Sequence, residues 1–340
     1  MINENMKSQN KVEFIVYDGA LDLVKEKVNK ALTDAPVIIR KYTEHLTTST
    51  GKYIRAVSVL ICAQNREGKI HPNAVSFAAA IELLHLATLV HDDVIDNAPI
   101  RRGNVTLQKK YGRKTAVICG DYLFSIALRI AASVQNKEDY IKLSVPDYIG
   151  RVCLGELNQH TNNGFLDLSE LQYLKIISGK TAALFEACFL AGAVLSGNIS
   201  EDESGEKSIP DEKTLNLYKR LGRYIGMIFQ IQDDCMDFEK TEAVAKKPVQ
   251  SDYQQGVITL PLIYTFRKMM GLKDKARDKN LTIDELNDAV FKTGGLDYTH
   301  MISEKYYSKS MKIIDSLDIS PDKRSKLIYV LDKSYGKSRS

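Results

Sequence analysis

From Ala20 to the C-terminus, apolar residues return every three to four positions, and no alternating stretch persists long enough to suggest a sheet. The periodicity predicts helices over about 19–33, 36–47, 51–66, 72–97, 112–134, 137–162, 169–196, 211–240, 256–270, 295–316 and 321–335. Breaks fall where turn-forming residues gather: Gly68 to Pro72, Ala98 to Gly103, and Gly197 to Pro210. The last break is polar and acidic (Glu201, Asp202, Glu203) and predicts an exposed loop. No Pro/Gly-rich linker divides the chain. The pattern predicts one all-α domain over residues 1–340 around a central cavity, with residues 1–18 and 336–340 flexible.

Two of these helices carry charge where charge is costly. Leu89-Val90-His91-Asp92-Asp93-Val94-Ile95-Asp96 and Phe229-Gln230-Ile231-Gln232-Asp233-Asp234-Cys235-Met236-Asp237 each hold Asp-Asp-x-x-Asp inside an apolar run. A solitary acidic pair on a helix is ordinarily a solvated face. Here the flanks, His85 to Val90 and Ile225 to Phe229, are apolar on almost every side, as in a buried helix. Buried carboxylates need something cationic to meet them. Residues four apart share a helix face, so Asp92 lies one turn from Asp96 and Asp233 one turn from Asp237. Two such clusters facing each other would form an oxygen-lined cage. Mg²⁺ suits that cage, because it binds few carboxylates and completes its shell with water and substrate phosphates. The pattern points to chemistry on a diphosphate.

Composition removes several alternatives. The 340 residues carry a net charge of +4 with 44% hydrophobic and 26% charged positions, a soluble globular balance too weakly basic for nucleic-acid binding. Cys62, Cys119, Cys153, Cys188 and Cys235 show no CxxC spacing; they read as reduced core residues of a cytoplasmic protein, not as disulfides or a zinc site. Met1 to Lys11 lacks the apolar region of a signal peptide, and no apolar run is expected to reach the roughly 20 residues of a membrane span. Any membrane contact is expected to be peripheral.

Positive charge for a diphosphate lies close to the acidic motifs. Arg101-Arg102-Gly103 follows the first motif, past Pro99, and Gly51-Lys52-Tyr53-Ile54-Arg55 is expected to set Lys52 and Arg55 on one helix face. Gly179-Lys180-Thr181 opens or kinks a helix, and Lys247 follows the second motif. Arginine offers phosphate a planar bidentate fork and lysine a point charge. Each group alone is commonplace on surfaces. Combined with two acidic clusters they are specific.

The constellation resembles the trans-isoprenyl (polyprenyl) diphosphate synthases, and within them the long-chain synthases. Its marks, between about Gly51 and Tyr264, are GKYIR, IELLHLATLVHDDVIDNAPIRRG, AVICGDYLFS, ISGKTAALFEA, YIGMIFQIQDDCMDF and KPVQSDYQQGVITLPLIY. The stretch SDYQQGVITLPLIY most resembles the large subunit of two-component hexaprenyl or heptaprenyl diphosphate synthases. The resemblance implies an isoprenoid-synthase-type bundle of about ten or more helices. It also implies that Asp92, Asp93, Asp96, Asp233, Asp234 and Asp237 hold about three Mg²⁺ ions. Lys52, Arg55, His85 and Arg102 match the residues that grip isopentenyl diphosphate. Arg101, Lys180 and Lys247 match contacts to the allylic diphosphate, and Thr181 and Gln230 match residues flanking its reacting carbon. A homodimer, or a heterodimer with a small subunit, is the expected assembly. The chain departs from the family pattern at Thr50, Tyr53, Lys246 and Gln250, the last two replacing loop glycines around Lys247.

The implied reaction ionises the allylic carbon–oxygen bond, adds isopentenyl diphosphate to the cation, loses a proton and repeats. Product length depends on what blocks the tail. Ala87 lies five residues before Asp92, roughly 7.5 Å along a helix, with Leu83 and Leu84, then Ala79 and Ala80, deeper. No aromatic plug stands there, which favours a long tunnel and products well beyond fifteen carbons, with a shorter-chain farnesyl or geranylgeranyl diphosphate synthase as the alternative. A terpene cyclase would lack GKxxR and RRG, and a non-catalytic partner subunit would be expected to lack one Asp-rich motif; this chain keeps all of them.

Overall fold

The computed structural model describes residues 13–47, 51–133, 145–196, 210–239 and 251–337, and helices dominate it. In chain order they are α1 (Tyr17–Thr33), α2 (Val37–Leu46), α3 (Ile54–Ala63), α4 (Pro72–Ile95), α5 (Leu107–Tyr111) and α6 (Arg113–Ala132). Then come α7 (Val145–Thr161), α8 (Glu170–Ser196) and α9 (Glu212–Glu239). The C-terminal part holds α10 (Ser251–Gln254), α11 (Leu260–Lys268), α12 (Met270–Arg277), α13 (Ile283–Thr293), α14 (Gly295–Ser316) and α15 (Pro321–Tyr335). Two short antiparallel pairs complete the described structure: β1 (Ile15–Val16) with β2 (Lys69–Ile70), and β3 (Ile100–Arg101) with β4 (Asn104–Val105).

α4 is the axis of the larger core. Pro72 opens it, pre-set for a first helical turn, while the His71 ring accepts the Asn73 N–H. It buries residues on most of its circumference, from Ala74 to Val94, against α1, α3 and α6. The second half of α8 is buried at nearly every position and packs between α3 and α9. A second, smaller core joins Tyr173, Ile176 and Ile177 of α8, Met227 and Ile231 of α9, and residues of α11, α13 and α14. The two Asp-rich helices α4 and α9 thus belong to one bundle, with α8 between them.

Several boundaries differ from the sequence-based expectations. The helix expected over 51–66 starts only at Ile54, because Tyr53 is left-handed at φ 52°; Lys52 therefore precedes the helix and does not share a helical face with Arg55. The span expected over 112–134 is preceded by a separate short helix, α5, which Gly112 ends at φ 89°. α12 and α13 were not anticipated, although Thr282 and Glu285 form a reciprocal capping box that the sequence spells out. Ile15–Val16, inside the stretch expected to be flexible, pairs with Lys69–Ile70. The loop from Gly197 lies, but for Pro210, outside the described residues, as does Lys247 with Lys246 and Gln250.

The expectation about membrane-length segments also needs correction. By length and composition, Pro72–Ile95, Arg113–Ala132 and Glu170–Ser196 are each apolar enough to cross a membrane. Interspersed polar residues hide this in a one-dimensional reading. In the bundle, α4 and α8 turn most of that apolar surface inward, whereas α6 keeps Val117 and Ile118 exposed. Cys62, Cys119, Cys188 and Cys235 are buried thiols, and Cys153 is exposed on α7.

Candidate active site

The first Asp-rich motif occupies the last turn of α4, where Asp96 caps the helix and its N–H bonds back to the Asp92 carbonyl at 2.8 Å. Beyond it the chain reverses in a two-residue hairpin, with Arg102 at φ 51° and Gly103 at φ 82° between β3 and β4. Both central residues left-handed is the type I′ turn that matches strand twist. Glycine adopts it freely; Arg102 does so at a cost of about 1–2 kcal/mol. Thr106 Oγ1 and Gln108 Nε2, both buried, donate to the Ala98 carbonyl at 2.7 and 2.8 Å and fix where the hairpin leaves the helix. Arg101 Nε then donates to Asp93 Oδ1 at 2.5 Å. Asp93 and Arg101, assigned from the resemblance to a metal and a diphosphate, are thus paired with each other.

Asp92 points elsewhere. Burial first, and then the Glu156 carboxylate of α7, push it up to about 7, against the pull of Lys180 and Arg101. Lys180 Nζ pairs with Glu156 at 3.0 Å. Burial pulls that ammonium down, but Glu156, Asp92 and Asp96 outweigh it and hold Lys180 above the usual lysine range. One lysine therefore sits among three carboxylates from α4 and α7. Glu156 was not singled out from the sequence, where it lies in no recognisable pattern.

Lys180 and Thr181 reach the site because α8 is not regularly wound there. Ser178–Ala182 form a π turn, a feature frequent at functional positions. Two glycines let other helices close on it. A Cβ at Gly155 would stand 2.2 Å from the Lys180 nitrogen, and one at Gly226 would stand 2.6 Å from Ala182 Cα. The first contact brings Glu156 against Lys180. The second sets Gln230, one turn further along α9, beside Thr181.

The Thr181 hydroxyl donates to Gln230 Oε1 at 2.6 Å, and Gln230 Nε2 donates to Asp234 Oδ1 at 2.7 Å. The buried Tyr173 hydroxyl donates to Asp234 Oδ2 at 2.5 Å. Burial and the nearby Asp252 push Asp234 well above the usual carboxylate range. Asp233 is half-buried beside it, and the buried Asp237 accepts the Asp252 N–H at 3.4 Å. Tyr173 and Asp252 join this cluster unforeseen. Asp252 lies within SDYQQG, but nothing in its spacing marks it as a neighbour of Asp234.

A second group gathers around α3 and the adjacent face of α4. Arg55 is 8% exposed, its guanidinium stacked over Phe185 at 4.9 Å and near Phe229 at 5.8 Å. Burial lowers its pKa, while the field of Glu82 raises it. Arg102 lies against Gly51, whose missing Cβ would stand 2.8 Å from Nη1. That explains the glycine before Lys52: a side chain there would displace the guanidinium. Burial, then Arg55, Arg102 and Arg101, hold His85 well below the usual imidazole range, so it is neutral at pH 7. Glu82 was missed, yet its signal was the one used for the aspartates, a charge within an apolar helical run; it accepts the Ala56 N–H at 2.9 Å. Lys52 is exposed on the approach to α3.

Further down α4, a small apolar cavity is lined by Phe77, Ala80, Ile81 and Leu84, with Ala127, Leu128 and Ala131 of α6 and Ile149 of α7. Leu84, one of the three expected chain-length residues, lines it; Ala87 and Leu83 are fully buried without lining it. For Leu83 the reason is helical phase; Ala87 shares the face of Ala80 but lies two turns nearer Asp92. Residues 77, 81, 84 and 88 follow the stripe that ends at Asp92, and 83 points away from it.

Among the described residues, no three carboxylates, imidazoles or thiols converge on one point. The donor set nevertheless fits a divalent cation. Both clusters are oxygen-only, and in each, burial together with another carboxylate pushes an aspartate upward, a penalty that a bound cation relieves. Magnesium takes its remaining ligands from water and phosphate, so a protein cage of three is not required.

Comparison with known proteins agrees with this geometry. A family model described as polyprenyl synthetase matches residues 36–292. The chain is 31% identical over 322 residues to heptaprenyl diphosphate synthase component 2 of Geobacillus stearothermophilus, covering 93% of this chain and 96% of that one. Its fold matches the crystal structure of heptaprenyl diphosphate synthase from Staphylococcus aureus with a TM-score of 0.83 at 30% identity, over 96% and 99% of the two chains. It also matches a Caulobacter crescentus CB15 polyprenyl synthase, complexed with calcium and isoprenyl diphosphate, with a TM-score of 0.82 at 25% identity over 95% and 96%. This chain belongs to the polyprenyl synthetase family and is a prenyl-transferring enzyme.

Proposed function

We propose that the chain extends an allylic diphosphate with isopentenyl units to a medium- or long-chain all-trans polyprenyl diphosphate, with Mg²⁺ as its cofactor. The observation that carries the reading is the meeting of Lys180 with Asp92 and Glu156, with His85 about two turns back along the same face of α4 and in the field of Arg55 and Arg102. Asp92, Asp96 and Asp233 would hold the metal, which when bound neutralises charge building on the departing diphosphate.

The chain's own residues do the rest. Lys180 and Arg101 stand where a leaving diphosphate takes both electrons of the broken carbon–oxygen bond, and fixed charge in place is usually the largest catalytic term. Thr181 and Gln230 offer dipoles beside the cation. Arg55, Arg102 and the neutral His85 hold isopentenyl diphosphate so that its double bond forms the new carbon–carbon bond, which is catalysis by positioning. The proton then lost passes to the departed diphosphate, the strongest base beside the new carbon–carbon bond.

Exposed apolar residues on α6 (Ile118, 63% exposed) and α7 (Leu154, 64%; Leu157, 57%) support assembly with a second chain, either another copy or a small subunit. The test is turnover of farnesyl diphosphate and labelled isopentenyl diphosphate with Mg²⁺, products resolved by chromatography, with and without a candidate partner. Asp92→Ala and Asp233→Ala should each lower the rate by about 10²-fold or more with the fold intact. Full activity in either variant would remove the metal assignment.

A further inference from the structure

Thr181, Gln230, Asp234 and Tyr173 form one line of hydrogen bonds, with separations of 2.6, 2.7 and 2.5 Å, and the groups in it fix the direction of each proton. An amide can present either of its ends to a neighbour, but the Asp234 oxygen that faces Gln230 can only accept while it is deprotonated. Gln230 must therefore turn its NH₂ toward Asp234 and its carbonyl toward Thr181. A carbonyl also only accepts, so Thr181 gives it its single proton. The Thr181 oxygen is left with lone pairs alone for whatever packs against it. The order holds as long as Oδ1 itself carries no proton, since a protonated Oδ1 could donate to the Gln230 carbonyl.

We infer that Asp234, locked by Tyr173, is a positioning residue that orients Gln230 and through it presents only the electron-rich side of the Thr181 hydroxyl. That is the polarity a developing allylic cation needs; a hydroxyl proton facing the cation would oppose its formation. The inference rests on the reading that Thr181 and Gln230 flank the reacting carbon. It also reassigns Asp234. At 3% exposure, with one oxygen on Tyr173 and the other on Gln230, its job is internal, and ion contact falls to its half-buried neighbour Asp233.

Asparagine at 234 can offer its own NH₂ to Gln230 and so permit the amide to reverse. Asp234→Asn should lower kcat about 100-fold, while the Michaelis constant for isopentenyl diphosphate changes less than about twofold. Calorimetric titration of Mn²⁺ in the presence of inorganic pyrophosphate should give wild-type affinity for Asp234→Asn and a loss of about tenfold or more for Asp233→Asn. Tyr173→Phe, which removes one oxygen and little volume, should lower kcat about fivefold, as expected for one hydrogen bond, and it decides the matter if Asp234→Asn fails to fold. Equal loss of Mn²⁺ affinity in the two aspartate variants would overturn the reassignment, and wild-type kcat in both Asp234→Asn and Tyr173→Phe would overturn the positioning role. Thr181→Val and Gln230→Leu separate the layers. If they also keep full kcat, the flanking assignment itself has failed; if they lose it while Asp234→Asn does not, only the orienting role has.

Discussion

Gly226→Ala tests the close crossing of α9 over the π turn. The added Cβ would stand 2.6 Å from Ala182 Cα, 2.9 Å from Ala182 Cβ and 3.1 Å from Phe185 Cβ, whereas ordinary contact begins at 3.4 Å. The first obstacle is backbone, so no side chain can swing aside. α9 must retreat from the π turn by about 0.8 Å to restore contact. The same retreat would stretch the 2.6 Å Thr181–Gln230 hydrogen bond to about 3.4 Å, beyond the range for paired hydroxyl and carbonyl oxygens. Alanine normally stabilises a helix interior by about 1 kcal/mol over glycine, while overpacking costs about 1–3 kcal/mol. Stability should thus fall by up to about 2 kcal/mol. The rate should fall further in proportion, about 10- to 100-fold, because misplacement near 1 Å is expensive in a site that works by positioning. Urea denaturation and steady-state kinetics read the two effects. Gly150→Ala is the control: nothing lies within 4 Å of its added Cβ, so it should gain stability and keep its rate. A Gly226→Ala enzyme that is more stable and fully active would refute the claim that this crossing sets the Thr181–Gln230 geometry.

Four other outcomes follow from the site. Asp92 is held near 7, above the 3.8 of a free aspartate, so ion binding must expel a proton; affinity for Mg²⁺, measured by calorimetry, should strengthen as pH rises toward and through about 7 and weaken below it. The sign for stability is opposite: without metal the folded state keeps a proton that the unfolded chain loses, so stability should fall as pH rises from about 4 to 7 and stay lowered above it, and Asp92→Asn should flatten that slope in denaturant titrations. Arg102→Ala should raise the Michaelis constant for isopentenyl diphosphate more than that for the allylic substrate, and Arg101→Ala the reverse; the same constant rising in both would end the two-site assignment. Ala80→Phe, placed on the cavity itself, should cut the product ladder to about fifteen to twenty carbons, and Ala87→Phe, on the same helix face two turns nearer Asp92, should shorten it as well. An unchanged ladder from both would show that the tail runs elsewhere.

The helices and the two acidic motifs were legible because both are local: a 3.6-residue period and a four-residue spacing survive projection onto one dimension. The cationic residues were legible as types near a motif, yet their partners were not. That Arg101 would meet Asp93 depends on a hairpin whose left-handed Arg102 no propensity favours. Glu156, Tyr173 and Asp252 reach the site from other elements, and only the packing of α7, α8 and the segment after α9 brings them there. Chain-length residues were half legible. Counting back from Asp92 finds Leu84, but the angular phase that admits Leu84 to the cavity wall leaves out Leu83, and only the packed helix shows which face the neighbours leave open.

The π turn in α8 makes that helix sensitive to length in a way that its composition is not. It inserts about one extra residue into the winding, so the segments before and after it face different cores: Tyr173, Ile176 and Ile177 the smaller, Ala183 to Leu195 the larger. Deleting one residue between Ser178 and Ala182 would restore regular winding and rotate Glu170–Ile177 by about 100° relative to the rest. Tyr173 would swing away from Asp234, and the smaller core would present the wrong stripe. Among descendants of this chain, substitutions in that turn can be explored one at a time, whereas insertions and deletions there are closed to drift, so the register of these five residues should be older than their identities.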